Sequence, residues 1–346
     1  MLRVGIIGAN GYSGIELIRL LHEHPHVTLN LIVSHSTSGT PITELYPHLQ
    51  AIYEEQLEAL DVDKVASQVD FLFFATPARV SKDWLPSFTQ KGIPCIDISG
   101  DFRLNNPDVY KQWYQAEHTN AEYLSEAVYG LADVYPEAIK HAQVIANPGC
   151  YATAALLALI PLVEKKLIST KSIIIDGKSG VSGAGRKPSL TTLFGEVNEN
   201  VKAYRLGKHQ HIPEMEQILT EVSGDTVQVT FSTHLIPMTR GIMCTIYADL
   251  QETITTDDLI HAYDMYYDHT PFIRVRPEGS LPSTKEVYGS NYCDLGVTVD
   301  KRTGKLTIVS VIDNVVKGAS GQAVQNMNLV NGWDIDEGLK YSPVYP

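Results

Sequence analysis

A short apolar run that meets a glycine loop at residue 8 sets the first constraint on this chain. Leu2-Arg3-Val4-Gly5-Ile6-Ile7 leads directly into Gly8-Ala9-Asn10-Gly11-Tyr12-Ser13-Gly14. Then Ile15, Ile18 and Leu21 fall at helical spacing, with Pro25 ending the pattern and a helix predicted over residues 14–24. Further strands are predicted at residues 3–7, 29–33, 71–74, 94–98 and 143–145, separated by helical stretches. Strands that are mainly apolar rather than alternating with polar residues, separated by helices, predict a parallel sheet covered on both faces.

Glycines between the first strand and first helix let the backbone turn sharply and approach a pyrophosphate at the helix N-terminus. The loop therefore predicts an α/β Rossmann-type dinucleotide-binding domain, with Gly8, Asn10, Gly11, Tyr12, Ser13 and Gly14 as its cofactor-binding residues. A site for NAD places an acid after the second strand to hold the ribose. Here that strand runs out into Val33-Ser34-His35-Ser36-Thr37-Ser38, with no acid. Hydroxyls at Ser34, Ser36 and Ser38 suit a 2′-phosphate, so NADP is the expected cofactor.

The middle of the chain has another rhythm. Longer β-rich stretches are predicted at residues 172–176, 226–234, 242–249, 272–275, 293–299 and 306–311, interrupted by helices at 213–222 and 256–267. This pattern predicts an α+β catalytic and oligomerisation domain with a mostly antiparallel sheet. The expected division is 1–148 plus 314–346 for nucleotide and 149–313 for catalysis, with a last helix over 320–330 packing on the first domain. A length of 346 residues fits two such domains. With 27 basic against 40 acidic residues the net charge is −13, which argues against a nucleic-acid binder, since that requires a basic face. No apolar run has membrane-spanning length, and the chain opens into a strand pattern rather than a signal peptide. The four cysteines, Cys95, Cys150, Cys244 and Cys293, form no close-spaced pair, so neither a disulfide framework nor a metal ribbon is expected, and the reducing cytoplasm fits.

One cysteine stands apart. Asn147-Pro148-Gly149-Cys150-Tyr151 follows the apolar run Val144-Ile145-Ala146 and precedes a helix, which places Cys150 at a helix start. Unpaired N–H groups and the helix dipole favour a thiolate there. A nucleophilic thiolate beside a nicotinamide implies attack on an activated acyl group, loss of the leaving group, and hydride reduction of the thioester to an aldehyde. His209 and His211, two residues apart before Pro213, would share one face of an extended segment, and either could act as general base and acid. His211 is preferred. His209, His211 and His234 have no carboxylate or cysteine to complete a metal site. Lys178, Arg186 and the backbone N–H groups of residues 180–185 form a glycine-rich loop suited to an anion.

These motifs, in this order, resemble the N-acetyl-gamma-glutamyl-phosphate reductases, a family related to the aspartate-semialdehyde dehydrogenases. The resemblance rests on Gly8 to Gly14, Ile96-Asp97-Ile98-Ser99-Gly100-Asp101-Phe102-Arg103-Leu104, Tyr129-Gly130-Leu131 and the segment around Cys150. It continues through residues 180–186, Gly207-Lys208-His209-Gln210-His211-Ile212-Pro213-Glu214, residues 234–241, residues 289–294 and Asp313-Asn314, so it spans nearly the whole chain. His35 stands where the family commonly has arginine, and Ala132-Asp133 replaces a usual Pro-Glu.

The resemblance implies an acyl-phosphate reductase of arginine biosynthesis, with a catalytic histidine in the 207–214 motif. It implies substrate contacts at Arg103, Asn147, Ser182, Gly183, Arg186 and Arg240, and places Asn314 beside the nicotinamide. The partners it implies are a small acyl-phosphate or aldehyde substrate, phosphate, and further copies of the chain in a homodimer or homotetramer. Rival readings are aspartate-semialdehyde dehydrogenase, a reductase for the one-carbon-longer acetylaminoadipyl phosphate, and a non-catalytic nucleotide sensor. The sensor would have no need of Cys150. Against the aspartate enzyme stand Gly149 and Tyr151, where that cysteine motif has Asn before and Ser or Thr after.

Overall fold

The computed structural model describes residues 1–346, which form two compact units: Met1–Pro148 with Ala319–Lys340, and Gly149–Gly318 with Tyr341–Pro346. Residues 314–318 and 341–346 thus belong to the second unit.

The first unit is built on β1 (Leu2–Ile7), β2 (Val27–Val33), β3 (Phe71–Phe74), β4 (Cys95–Asp97), β5 (Val128–Tyr129) and β6 (Val144–Ala146). Their order across the sheet is β2-β1-β3-β4-β6-β5, and every neighbouring pair is parallel. Phe71, Leu72, Phe73 and Phe74 are all buried, as a strand between two covered faces requires. The chain steps outward from β1 to β2 and then returns to set β3 on the other side of β1. Such a reversal opens a crevice at the carboxyl ends of the strands, where open α/β sheets take their ligands. The helix Tyr12–His22 starts two residues earlier than expected, because Gly11 is extended (φ −86°, ψ 170°) and serves as its N-cap.

The helix Gly321–Val330 also belongs to this unit. It is rich in amides yet buried, which is tolerable only when the amides are bonded. Asn326 Nδ2 donates to the Gly130 carbonyl (2.9 Å) and to Asn147 Oδ1 (3.0 Å), and Asn328 Nδ2 donates to the Glu337 carbonyl (2.9 Å).

The second unit carries β7 (Ile174–Ser179), β8 (Lys202–Tyr204), β9 (Thr230–Leu235), β10 (Ile242–Asp249), β11 (Ile273–Val275), β12 (Cys293–Asp300) and β13 (Lys305–Ile312). The order is β11-β12-β13-β10-β7-β9-β8, antiparallel except for β7–β9 and β11–β12. Along β10, Ile242, Cys244, Ile246 and Ala248 are buried while Tyr247 is exposed, so one face of the sheet is covered. The cover is the helix Cys150–Glu164, in which every residue from Tyr151 to Val163 is buried. It is apolar all round because it also packs against the helices His211–Ser223 and Thr256–Tyr266. Pro161 lies inside it and leaves the Leu157 carbonyl, one turn back, without its helical donor. The Tyr267 hydroxyl supplies that bond at 2.6 Å.

Two strand readings differ from the sequence pattern. β7 extends through the polar residues Asp176-Gly177-Lys178-Ser179, because Gly177 faces inward to admit Tyr151: a methyl there would lie 2.6 Å from Tyr151 Cε1. β5 and β8 are two and three residues long and show no periodicity to read.

Candidate active site

In the second unit Cys150 is the first residue of its helix, and Gly149 (φ −69°, ψ 150°) is the N-cap. None of the four cysteines forms a disulfide; Cys150 is half-buried and the other three are buried. Burial pushes the thiols of Cys95 and Cys244 well up, which keeps them protonated and unreactive. Cys150 alone combines access with a helix start.

His211 begins the helix His211–Ser223 and packs its ring on Gly149. A methyl at Gly149 would overlap His211 Nε2 and lie 2.6 Å from both Cδ2 and Cε1 of the ring. The imidazole edge that bears Nε2 therefore faces the residue next to the thiol. His209 is held differently. Its Nδ1 accepts the His211 backbone N–H at 3.1 Å, and its ring is boxed by Tyr151, Tyr204 and Phe231 at centroid distances of 5.6, 5.9 and 5.4 Å. The two imidazoles meet at 4.6 Å, but not as alternate residues of an extended segment: the chain turns into a helix at His211.

Two further groups border the cysteine. Glu214, 1% exposed, accepts the Gly149 N–H at 2.8 Å. Gly318 approaches from the other side, where a methyl would lie 2.7 Å from Cys150 Cβ. Its segment is pinned by Asp313, whose carbonyl accepts the Gly318 N–H (3.0 Å) and whose carboxylate accepts the N–H groups of Val315 (2.9 Å) and Gly289 (2.8 Å). Arg240 lies 3.6 Å from the same carboxylate.

The glycine-rich loop of residues 180–185 corrects one expectation. Its backbone N–H groups are not an open anion nest. Those of Gly180, Val181 and Ser182 donate to the carbonyls of Gly241, Met238 and Thr239, and those of Gly183 and Gly185 close turns on Gly180 and Ser182. The loop reads as a second layer on residues 238–241, a pairing between distant segments that local composition does not reveal. Asn314 ties the two together: Oδ1 accepts the Gly241 N–H (2.7 Å) and Nδ2 donates to Ser182 Oγ (2.9 Å). Gly183 and Arg186 are exposed on the far part of this loop. Lys178 faces Asp176 at 2.6 Å on β7.

In the first unit Gly8 has φ +90°, and a methyl on it would lie 2.5 Å from the Ala75 carbonyl oxygen, so only glycine fits where β1 and β3 end. Gly14 seats the helix on the loop: its methyl would lie 2.6 Å from Ala9 Cα. Asn10 Nδ2 reaches Ser36 Oγ (3.1 Å) and Thr37 Oγ1 (3.2 Å), joining the loop to the end of β2. Ser34 is buried and its hydroxyl accepts from Thr37 (2.9 Å), whereas His35, Ser36 and Ser38 are exposed. Tyr12 is exposed, and the Ser13 carbonyl accepts from the Ser320 hydroxyl (2.9 Å). The glycine cradle, the helix start and the exposed hydroxyls fit a dinucleotide.

Arg103 and Asn147 are both buried in this unit. Arg103 Nε donates to the Asn147 carbonyl (2.7 Å) and Nη2 to the Ile98 carbonyl (2.9 Å). The Asn147 amide donates to the Ala319 carbonyl (3.1 Å). These bonds fix the segment that runs into Gly149. No group of three or more His, Cys, Asp or Glu is placed to hold a metal ion, and no helix is long and apolar enough to cross a membrane.

Sequence reasoning passed over Glu214, Asp313 and Gly318. For Glu214 a signal existed: His211 and Glu214 stand three apart, which on a helix puts both on one face. Gly318 is intelligible only from the contact it permits.

Comparison with known proteins gives a consistent picture. Residues 3–142 match the semialdehyde dehydrogenase NAD-binding domain and residues 150–314 the semialdehyde dehydrogenase dimerisation domain. The chain is 54% identical over 345 residues to the N-acetyl-gamma-glutamyl-phosphate reductase of Geobacillus kaustophilus and 48% identical over 345 residues to that of Bacillus subtilis, each alignment covering 100% of both chains. Among solved structures it is similar to aspartate-semialdehyde dehydrogenase II of Vibrio cholerae (TM-score 0.73, 19% identity, 96% of this chain and 98% of that one). It is also similar to the Candida albicans aspartate-semialdehyde dehydrogenase solved with NADP (TM-score 0.71, 16% identity, 97% and 99%). At such identities the structures speak for the fold alone.

Proposed function

The chain belongs to the N-acetyl-gamma-glutamyl-phosphate reductase family of semialdehyde dehydrogenases, and we propose that it reduces N-acetyl-gamma-glutamyl phosphate to N-acetyl-glutamate semialdehyde, releasing phosphate, in arginine biosynthesis. The observation that carries this reading is the half-buried Cys150 at a helix start, with the Nε2 edge of His211 on the adjoining glycine.

The steps follow from those groups. His211 takes the thiol proton, and the helix start favours the resulting negative charge on sulfur. Cys150 Sγ attacks the acyl carbon, the carbon–oxygen bond to phosphate breaks, and phosphate leaves. We assign the developing oxyanion to first-turn N–H groups of the Cys150 helix. A reduced nicotinamide nucleotide, held by Gly8 to Gly14, would supply the hydride that converts the thioester to the oxyanion of a hemithioacetal. Protonated His211 then returns its proton as the carbon–sulfur bond breaks, and the aldehyde departs. His209 orients His211 through the bond from the His211 N–H to its Nδ1. Arg103 and Asn147 hold the approach to Gly149, and Arg240, Ser182, Gly183 and Arg186 are the groups assigned to the substrate. Asn314 acts by joining their loops.

We assign NADP rather than NAD because no acid follows β2 and Ser36, Ser38 and His35 are exposed there. The test is the reverse reaction, with aldehyde, phosphate and oxidised nucleotide, followed by absorbance of the reduced cofactor. N-acetyl-glutamate semialdehyde with NADP should exceed aspartate semialdehyde, the one-carbon-longer acetylated aldehyde, and NAD by at least about tenfold in kcat/KM. Ser36→Asp should erode the NADP preference through charge repulsion. Preference for another aldehyde would overturn the substrate, and equal use of NAD the reading of the β2 loop.

We assign a homodimer or homotetramer formed through the second unit. Leu190, Leu193, Phe194, Val201 and Leu206 are exposed there, Phe194 at 81%, which a second copy would cover. Light scattering at micromolar concentration should give a multiple of 38.2 kDa, and Phe194→Glu should reduce it. A wild-type monomer would contradict the assignment.

A further inference from the structure

We infer that Glu214 is a positioning residue for the nucleophile, acting through Gly149 rather than on the substrate; the inference rests on the Cys150–His211 reading above. Its carboxylate is 1% exposed and accepts the Gly149 N–H at 2.8 Å. One turn earlier on the same helix, His211 lays its ring on the same glycine. Residue 149 is therefore gripped at two points by a single rigid element, at its N–H by Glu214 and at its Cα by His211.

A glycine needs such a grip. Without a side chain it has wide backbone freedom, and any rotation at residue 149 would swing the Cys150 sulfur relative to His211. Burying a carboxylate is costly unless it is hydrogen-bonded. Here the cost is offset by a charge-assisted bond to the N-cap amide and by the nearby starts of two helices, Cys150–Glu164 and His211–Ser223, whose positive ends favour an anion. The helix thus delivers the base and fixes the distance from that base to the nucleophile. A role in substrate binding would call for an exposed carboxylate, and this one is buried.

The test uses the full chain with Glu214→Gln, which keeps an acceptor oxygen at the same reach, Glu214→Asp, one methylene shorter, and Glu214→Ala. Two quantities are measured: kcat and KM for aldehyde oxidation, and the rate at which iodoacetamide alkylates Cys150 near neutral pH without substrate, read by peptide mass. Glu214→Asp and Glu214→Ala should lower kcat by about 10²-fold, as expected for a misplacement of about 1 Å, with KM changed by less than about twofold. Both should slow Cys150 alkylation, because the thiol would no longer be held in register with the His211 ring beside Gly149. Glu214→Gln should recover both quantities to within about fivefold of wild type.

Wild-type kcat and alkylation in Glu214→Asp would overturn the inference. So would Glu214→Gln as slow as Glu214→Ala, since the effect would then belong to the charge and not to the grip. Should Glu214→Ala fail to fold, the Gln and Asp variants decide the matter. Alkylation needs no substrate, so a wrong substrate assignment would leave that readout standing, while an unreactive wild-type Cys150 would count against the catalytic reading itself.

Discussion

Cys150→Ala is expected to lower kcat by at least ~10⁴-fold while leaving NADP binding unchanged, because the thioester route has no other thiol to use. Cys95 and Cys244 are buried with their thiols pushed well up, and Cys293 is buried on β12, where its sulfur lies 3.6 Å from Ser310 Oγ. Without the nucleophile, hydride would have to reduce the acyl phosphate directly, with no covalent link to hold the acyl carbon at the reacting position. The nucleotide loop from Gly8 to Gly14 is separate in sequence and belongs to the first unit. Turnover and nucleotide titration on the same preparation check both halves. Turnover within about tenfold of wild type would remove Cys150 from the chemistry.

Gly149→Ala is expected to cost nearly as much, from a single methyl group. The backbone at residue 149 (φ −69°, ψ 150°) suits alanine as well as glycine, so no strain enters there. The new carbon would lie 2.6 Å from two atoms of the His211 ring and overlap Nε2, so the imidazole must move. Moving a general base by about 1 Å should lower kcat by ~10²-fold or more. Overpacking of this kind should cost only about 1–3 kcal/mol of stability, so the variant should remain folded. The informative result is a large fall in kcat with a small change in thermal midpoint. Unchanged kcat would show that His211 does not act from this position.

The parts of the molecule legible in the sequence were those with local causes. β1, the glycine loop and the following helix could be read because the buried part of the strand, Val4–Ile7, carries no polar side chain and only glycine tolerates φ +90° beside Ala75. The helix start at Cys150 could be read because Pro148 and Gly149 disfavour a helix running through them and the residues that follow suit one. What stayed hidden depended on distant partners. The backbone N–H groups of the 180–185 loop resemble an anion nest until those of residues 180–182 are seen to donate to residues 238–241 and those of Gly183 and Gly185 to close turns within the loop. Arg103 resembles a ligand to an anion, yet two of its N–H bonds go to backbone carbonyls at Ile98 and Asn147. Glu214 carried a helical-spacing signal toward His211, but its bond to residue 149 crosses 65 positions of sequence. β7 ran on into polar residues because Tyr151, rather than a side chain of the strand, fills the space over Gly177.

The central claim is a covalent acyl group on Cys150. The direct measurement is rapid quench of the enzyme with its acyl phosphate, nucleotide withheld, followed by mass spectrometry of the peptides. Without a hydride donor the thioester cannot be reduced, so it should accumulate in the first turnover together with one equivalent of phosphate. The account predicts the added mass of the acyl group on the peptide containing Cys150, absent from Cys150→Ala. An adduct on the peptide of Cys95, Cys244 or Cys293, or phosphate release with no adduct on any cysteine, would contradict it.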